Sequence, residues 1–139
     1  MSAHLLGKKL AAYSSVATHA GVDSGDPHRL ILMLMDGVLE RLAMARGCLQ
    51  RGDIGQKAAL IQRVLAIVEE LRASLDLQRG GPLAANLSEL YLYMERQLLR
   101  ANSDNKAALL EEVSGLMAEI RAAWAAVPLT LKSQSAAVR

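Results

Sequence analysis

The residue types that most often bind metals or carry phosphoryl groups are few in this 139-residue chain. Its three histidines, His4, His19 and His28, all precede or begin the first long helical pattern. A di-iron site in a helical bundle needs Glu-x-x-His pairs on facing helices, and the sequence contains none. Phosphotransfer needs an exposed histidine in mid-helix, whereas His28 is expected at a helix start, as a solvated polar group. We therefore expect no metal and no phosphotransfer site.

The carboxylates and the single cysteine do not form a catalytic pattern either. Asp36 and Glu40 lie four residues apart, and pairs at that spacing usually belong to a solvated helix face. Cys48 has no histidine nearby to activate its thiol, so we expect a small buried side chain. The double glycine at 80–81 is not part of a phosphate-binding motif. The sequence thus predicts no catalytic residue, no cofactor and no enzymatic activity.

The composition favours an all-helical domain. The chain has 25 leucines and 23 alanines, but only 13 valines and isoleucines together and no phenylalanine. Its 16 basic and 14 acidic residues are interleaved, so charge alone indicates neither a nucleic acid nor an anionic membrane as partner. No apolar stretch approaches the ~18 residues that cross a bilayer. No secretory signal is recognisable, and a single cysteine fits a reducing cytosol, where we expect the protein.

Four amphipathic patterns over residues 26–127 predict an antiparallel up-down-up-down four-helix bundle, because the connections are too short for any other arrangement. Asp26 is the expected cap of the first helix, which ends at Arg51-Gly52. Asp53 is expected to cap the second, with Gln56 completing a capping box.

The remaining boundaries follow from breaker residues. The second helix is predicted to end at Gly80-Gly81, the third to begin at Pro82, and residues 102–104 to separate the third from the fourth. Residues 1–25 are expected to form a flexible segment with a short helix, and residues 128–139 a frayed tail.

The helices carry more apolar residues than a bundle core requires, which is about three of every seven positions. The surplus either broadens the core, forms a homodimer contact, or lines shallow grooves that accept an amphipathic segment of another protein. Periodicity does not decide among these. The candidate groove residues are Ile31, Met35, Leu39, Leu60, Ile67, Leu92 and Leu99.

Several short motifs occur in a particular order along the chain, and the ordered set is more specific than any one of them. They are Tyr13, the run from Asp26-Pro27-His28 to Asp36-Gly37, Ser74-Leu75-Asp76, Ala85-Asn86-Leu87, Leu90-Tyr91-Leu92-Tyr93-Met94 and Glu119-Ile120-Arg121-Ala122-Ala123-Trp124. With its motifs in this order, the sequence resembles the FliS family of bacterial flagellin-export chaperones. The family often has Tyr where Met35 stands and Asp where Leu92 stands, so this surface is more apolar. For Leu75, Tyr91, Tyr93 and Trp124, core packing is at least as good an explanation as binding.

The resemblance implies a bundle that binds the disordered C-terminal segment of newly made flagellin. That segment would coil around the bundle as helices and could not polymerise before export through the flagellar type III apparatus. The resemblance also implies an N-terminal segment, with Tyr13 as its aromatic residue, that covers part of the client site and helps to hand the complex to the export gate. A structural homodimer without a flagellin client is the alternative from a different class.

Overall fold

The computed structural model describes residues 26–127, which form four helices and no strand. Helix α1 spans Pro27–Arg51, α2 spans Ile54–Ala73, α3 spans Leu77–Asp104 and α4 spans Ala107–Ala125. Helices α1 and α3 each pack against both α2 and α4. Because the connections are only two or three residues long, neighbouring helices run antiparallel, which confirms the predicted four-helix bundle.

Local signals start the first two helices and end the first, as predicted. The Asp26 side chain accepts a hydrogen bond from the main-chain N–H of Arg29 at 3.1 Å. The Asp53 side chain accepts one from the N–H of Gln56 at 3.2 Å. Gly52 ends α1 in the left-handed conformation, with φ at 75°, which glycine adopts without strain.

The predicted boundary between α2 and α3 is wrong. Helix α2 ends at Ala73, well before the double glycine, because Asp76 caps a new helix that begins at Leu77. The Asp76 carboxylate accepts hydrogen bonds from the main-chain N–H groups of Gln78 and Arg79, at 3.2 and 3.1 Å. Gly81 then kinks α3 with φ 54° and ψ −136°, a conformation closed to residues with a side chain, and Pro82 restarts the regular helix.

The predicted break at residues 102–104 is also wrong, since these residues are the last turn of α3. The helix ends at Asn105, which takes the left-handed conformation with φ at 53°. Lys106 precedes α4 without a capping side chain. The side chain of Asn102 is not a cap but the partner of a lysine on α2.

The core runs along the bundle axis and draws on all four helices. Cys48 is buried, as predicted. None of the helices between residues 26 and 127 is long and apolar enough to cross a membrane. Fully buried core residues include Val38, Leu42, Ile61, Val64, Val68, Met94, Leu98, Leu110, Val113 and Met117.

The predicted short N-terminal helix and the predicted tail at 128–139 lie outside the described residues.

Candidate partner-binding cavity

An apolar cavity of about 640 Å³ lies where α1 and α3 begin and α2 and α4 end. We call this end of the bundle the cavity end. The opposite end, where α1 and α3 end and α2 and α4 begin, is the closed end. All four helices and the connection between α2 and α3 contribute to the cavity wall. Its apolar lining consists of Ile31, Met35, Leu71, Leu75, Leu83, Ala84, Leu87, Tyr91, Ile120, Ala123, Trp124 and Val127.

The cavity exists because α3 extends beyond the helices that cover its core-facing side. Leu83 lies eight and eleven residues before the buried Tyr91 and Met94, so these side chains share one face of α3. Met94 is fully buried, yet Leu83 is 70% exposed. Since α2 has already ended at Ala73, a core-facing leucine is left at the surface. An apolar surface with this origin is available to a partner.

A reciprocal contact ties α1 to α4 at the cavity. Nε2 of His28 donates to the main-chain oxygen of Trp124 at 2.6 Å, and Nε1 of Trp124 donates to the main-chain oxygen of His28 at 3.0 Å. The two rings stack with their centroids 4.8 Å apart and their planes 17° from parallel. His28 is therefore buried, not solvated as the sequence suggested, because both its ring and its carbonyl serve this contact.

An ion pair between Asp36 of α1 and Arg121 of α4 joins the same two helices. Nε of Arg121 lies 2.7 Å from Oδ1 of Asp36, and this hydrogen bond raises the pKa of Arg121. Asp36 is therefore paired across the α1–α4 interface and is not simply one member of a solvated pair with Glu40. Together with the ring contact, it fixes the α1–α4 side of the cavity.

Three charged side chains interrupt the apolar lining, namely Asp76, Arg79 and Glu119. Asp76 is buried, and its Oδ1 caps α3. Its Oδ2 is buried without a hydrogen-bond partner, since Nε of Arg79 is 3.9 Å away. A buried carboxylate oxygen without a hydrogen-bond donor is destabilising.

The cavity is mainly apolar, with a few polar groups. Burial raises the pKa of Tyr91 to about 12. Within residues 26–127, no three His, Cys, Asp or Glu side chains are close enough to hold a metal ion. An apolar concave surface with a few fixed polar groups is typical of sites that receive apolar groups.

Of the predicted groove residues, Ile31 and Met35 line this cavity. Met35 is only 2% exposed, and Leu60 is buried within the core cluster. These two residues do not form the outer apolar face that the pattern suggested, because both point between the helices. Tyr13 lies outside the described residues.

The other predicted groove residues lie on separate interfaces between helices. Leu39 is half-buried on the side of α1 that faces α4, since Asp36, three residues earlier, pairs with Arg121 of α4. Ile67 of α2 lies against α1, with its Cδ1 3.7 Å from the position that a Cβ at Gly37 would occupy.

Leu92 and Leu99 share the face of α3 that carries Glu95, whose carboxylate lies 3.5 Å from Nε of Arg72 on α2. Leu99 is 55% exposed, whereas Leu92 is half-buried. The structure therefore brings together only Ile31 and Met35 at the cavity. It distributes four other candidates along three seams of the bundle, namely Leu39, Ile67, Leu92 and Leu99.

Sequence reasoning did not assign the main cavity residues to a binding site. The apolar spacing of the third helix puts Leu83 and Leu87 on its inward stripe, but nothing in that stripe shows that α2 stops short of them. The spacing of the fourth helix likewise gives Ile120 an inward position. The signal that could have revealed the cavity is Asp76 as a cap, because a helix start there forces α2 to end earlier.

The sequence matches the family model described as flagellar protein FliS over residues 9–130. It is 46% identical over 117 residues to flagellar secretion chaperone FliSB of Pseudomonas aeruginosa, an alignment that covers 84% of this chain and 93% of the relative. Identity to flagellar secretion chaperone FliS of Salmonella typhimurium is 44% over 116 residues, covering 83% and 86%. For the protein of the same name in Bacillus subtilis it is 32% over 103 residues, covering 74% and 76%.

Proposed function

The chain belongs to the FliS family of flagellar secretion chaperones, and from this premise we propose that it is a cytosolic export chaperone for flagellin. It binds the disordered C-terminal segment of flagellin, prevents premature polymerisation and delivers its client to the flagellar type III export apparatus. Its work is binding and release, without catalysis. A family of chaperones is not a class of enzymes.

The observation that carries this proposal is the exposed leucine at the rim of an apolar cavity. Leu83 is 70% exposed beside a cavity of about 640 Å³, a volume that can take several apolar side chains. An amphipathic helix presents such side chains at intervals of three or four residues. We assign the cavity to the first apolar anchor of the client.

A second contact is assigned to the seam between α2 and α3. Leu99 lies sixteen residues after Leu83, which is about 24 Å along a helix at 1.5 Å per residue. A client segment that touches both must therefore extend along much of the bundle. A disordered segment that folds on binding can cover such a length at modest affinity per unit area, which suits a cargo that must be released.

The remaining groove candidates belong to the same proposal. Leu39 and Ile67 would contact the client where it crosses the seams of α1, with Leu92 beside Leu99. Tyr13 would belong to an N-terminal segment that covers part of the client site before binding and helps to engage the export gate. Met35 and Leu60 would act from beneath, by shaping the surface.

The direct test is titration with a synthetic peptide from the C-terminal end of the cognate flagellin. We expect one peptide per chain by calorimetry and a gain of helix by circular dichroism. The variant Leu83→Glu should weaken peptide binding by about tenfold or more, equivalent to about 1.4 kcal/mol. The matched control is Met44→Glu, because Met44 is 54% exposed on α1 but does not line the cavity.

Two results would contradict the proposal. If the peptide does not bind while the molecular mass rises with protein concentration, the protein is a structural homodimer that pairs through these surfaces. If Leu83→Glu leaves the affinity for the peptide unchanged, the client does not use the cavity. Unchanged thermal unfolding of both variants establishes that each is folded.

A further inference from the structure

We propose that residues 128–139 of the same chain dock in the cavity, with Leu129 and Leu131 against its apolar wall and Lys132 at its carboxylates. This inference requires the cavity described above but not a flagellin client. It makes the cavity a site that the protein can occupy with its own chain.

The first argument is where the described chain ends. Val127 itself lines the cavity, and Leu129 and Leu131 follow it by two and four residues. At about 3.3–3.6 Å per residue, both leucines are within about 7 and 14 Å of a cavity wall. A tether this short gives a high effective concentration, on the order of millimolar.

The second argument is the alternation of residue types after Val127. In an extended backbone, side chains two residues apart point to the same side. Leu129 and Leu131 would thus face the apolar wall together, while Thr130 and Lys132 would face the rim. The segment before α1 is less well placed, since its nearest apolar residue, Val22, precedes the first cavity residue of α1, Ile31, by nine positions.

The third argument is charge. Residues 128–139 contain Lys132 and Arg139 and no acidic residue. The cavity carries two carboxylates, Asp76 and Glu119, against one cation, Arg79. Glu119 is exposed at the cavity, so its carboxylate is accessible to the ammonium group of Lys132.

Trp124 makes the inference testable in the full chain, because it is the only tryptophan and it lines the cavity. We expect Leu129→Ser/Leu131→Ser to move the Trp124 emission to longer wavelength and to increase its quenching by acrylamide. The matched control, Ser133→Ala/Ser135→Ala, should leave both unchanged. Far-UV circular dichroism of each variant establishes that the bundle is intact.

A peptide of residues 128–139, added to the Leu129→Ser/Leu131→Ser variant, should restore the original emission. The same peptide with both leucines replaced by serine should not. Glu119→Gln keeps the size of an exposed side chain at the cavity but removes its carboxylate charge. It should therefore weaken the binding of the wild-type peptide, but should have little effect on the binding of a peptide that carries Lys132→Met.

Three outcomes would overturn the inference. The first is emission that is unchanged in Leu129→Ser/Leu131→Ser. The second is the same shift of the Trp124 emission in Tyr13→Ser/Val22→Ser, which would mean that the N-terminal segment occupies the cavity. The third is a shift that depends on protein concentration, which would mean that the tail enters a second copy of the chain.

Discussion

The two ends of the bundle use similar helices but fill the space between α2 and α3 in different ways. At the closed end, Lys57 is only 2% exposed, and its Nζ donates to both the main-chain oxygen and Oδ1 of Asn102 at 2.8 Å. This pair closes the gap between the first turn of α2 and the last turn of α3. At the cavity end, the corresponding space is bordered by leucines and by Asp76, whose Oδ2 has no donor.

The difference shows that the exposure of a leucine on the inward stripe depends on where the neighbouring helix stops. Leu98 near the closed end and Leu83 at the cavity end both lie on the inward stripe of α3. Leu98 is fully buried and Leu83 is largely exposed, because α2 covers one and not the other. The following predictions test this contrast.

The largest effect is expected from truncating leucines on α3. Leu98→Ala should lower the free energy of unfolding by about 2–5 kcal/mol, because it leaves a cavity in a packed region. Leu87→Ala should lower the free energy of unfolding by less than half as much, since its half-buried side chain already faces the cavity. Urea unfolding of both variants gives the comparison. Equal losses would mean that the cavity end is packed as tightly as the closed end.

Alkaline pH should act on the cavity end through Tyr91. Its pKa in the folded protein is about 12, above the ordinary 10, because the side chain is buried. The resulting stabilisation is fully present below pH 10 and is lost as the pH rises towards 12, where the unfolded chain ionises first. The loss is about 2–3 kcal/mol from this group.

The measurement is the free energy of unfolding from pH 9 to pH 12, in the original protein and in Tyr91→Phe. Arginines and lysines titrate in both proteins, so the difference between the two curves isolates Tyr91. Parallel curves would show that this hydroxyl ionises as readily in the folded state as in the unfolded one.

Lys57, at the closed end, is expected to stabilise the fold through its hydrogen bonds to Asn102. Lys57→Ala removes both donors to Asn102 and leaves two acceptors in a poorly hydrated place, so we expect a loss of about 1–3 kcal/mol in unfolding free energy. Lys106→Ala is the control, because that side chain is exposed and caps nothing. Similar stabilities of the two variants in thermal unfolding would rule out a stabilising role for the buried pair.

The smallest effect is expected for the ion pair between α1 and α4. The side chains of Asp36 and Arg121 are 43% and 38% exposed, so Asp36→Asn should cost only about 0.2–1 kcal/mol. High salt should reduce that difference further, because it screens exposed charges. Glu89→Gln, an exposed change elsewhere on α3, should have no effect at either salt concentration. A larger loss for Asp36→Asn that persists in salt would mark this pair as a principal tie at the cavity end.

Much of the fold could be predicted because its signals are local. Asp26, Gly52 and Asp53 act within one helical turn of themselves, and their types are enough to place two helix starts and one helix end. The end of α2 escaped prediction because Leu75 and Leu77 continue an apolar spacing past Ala73, with no glycine or proline before residue 80. The cap formed by Asp76 overrides that spacing.

The cavity could not be predicted in the same way, since it depends on the relative lengths of two helices. The pattern identifies positions beside the inward stripe, such as Ile67 and Leu92, and the structure assigns them to different seams. Leu83 lies within the stripe and was therefore expected to be inside. It is exposed because the neighbouring helix, α2, ends before it.

The contact between His28 and Trp124 spans 96 residues, and the ion pair between Asp36 and Arg121 spans 85. On the ribosome, α1, α2 and α3 can meet as soon as each has emerged, because each packs against its neighbour in the sequence. The last wall of the cavity, with Ile120, Trp124 and Val127, is synthesised after the other three helices. A chain that has been synthesised only as far as α3 therefore lacks one wall of the cavity, and the cavity forms only once α4 has been added.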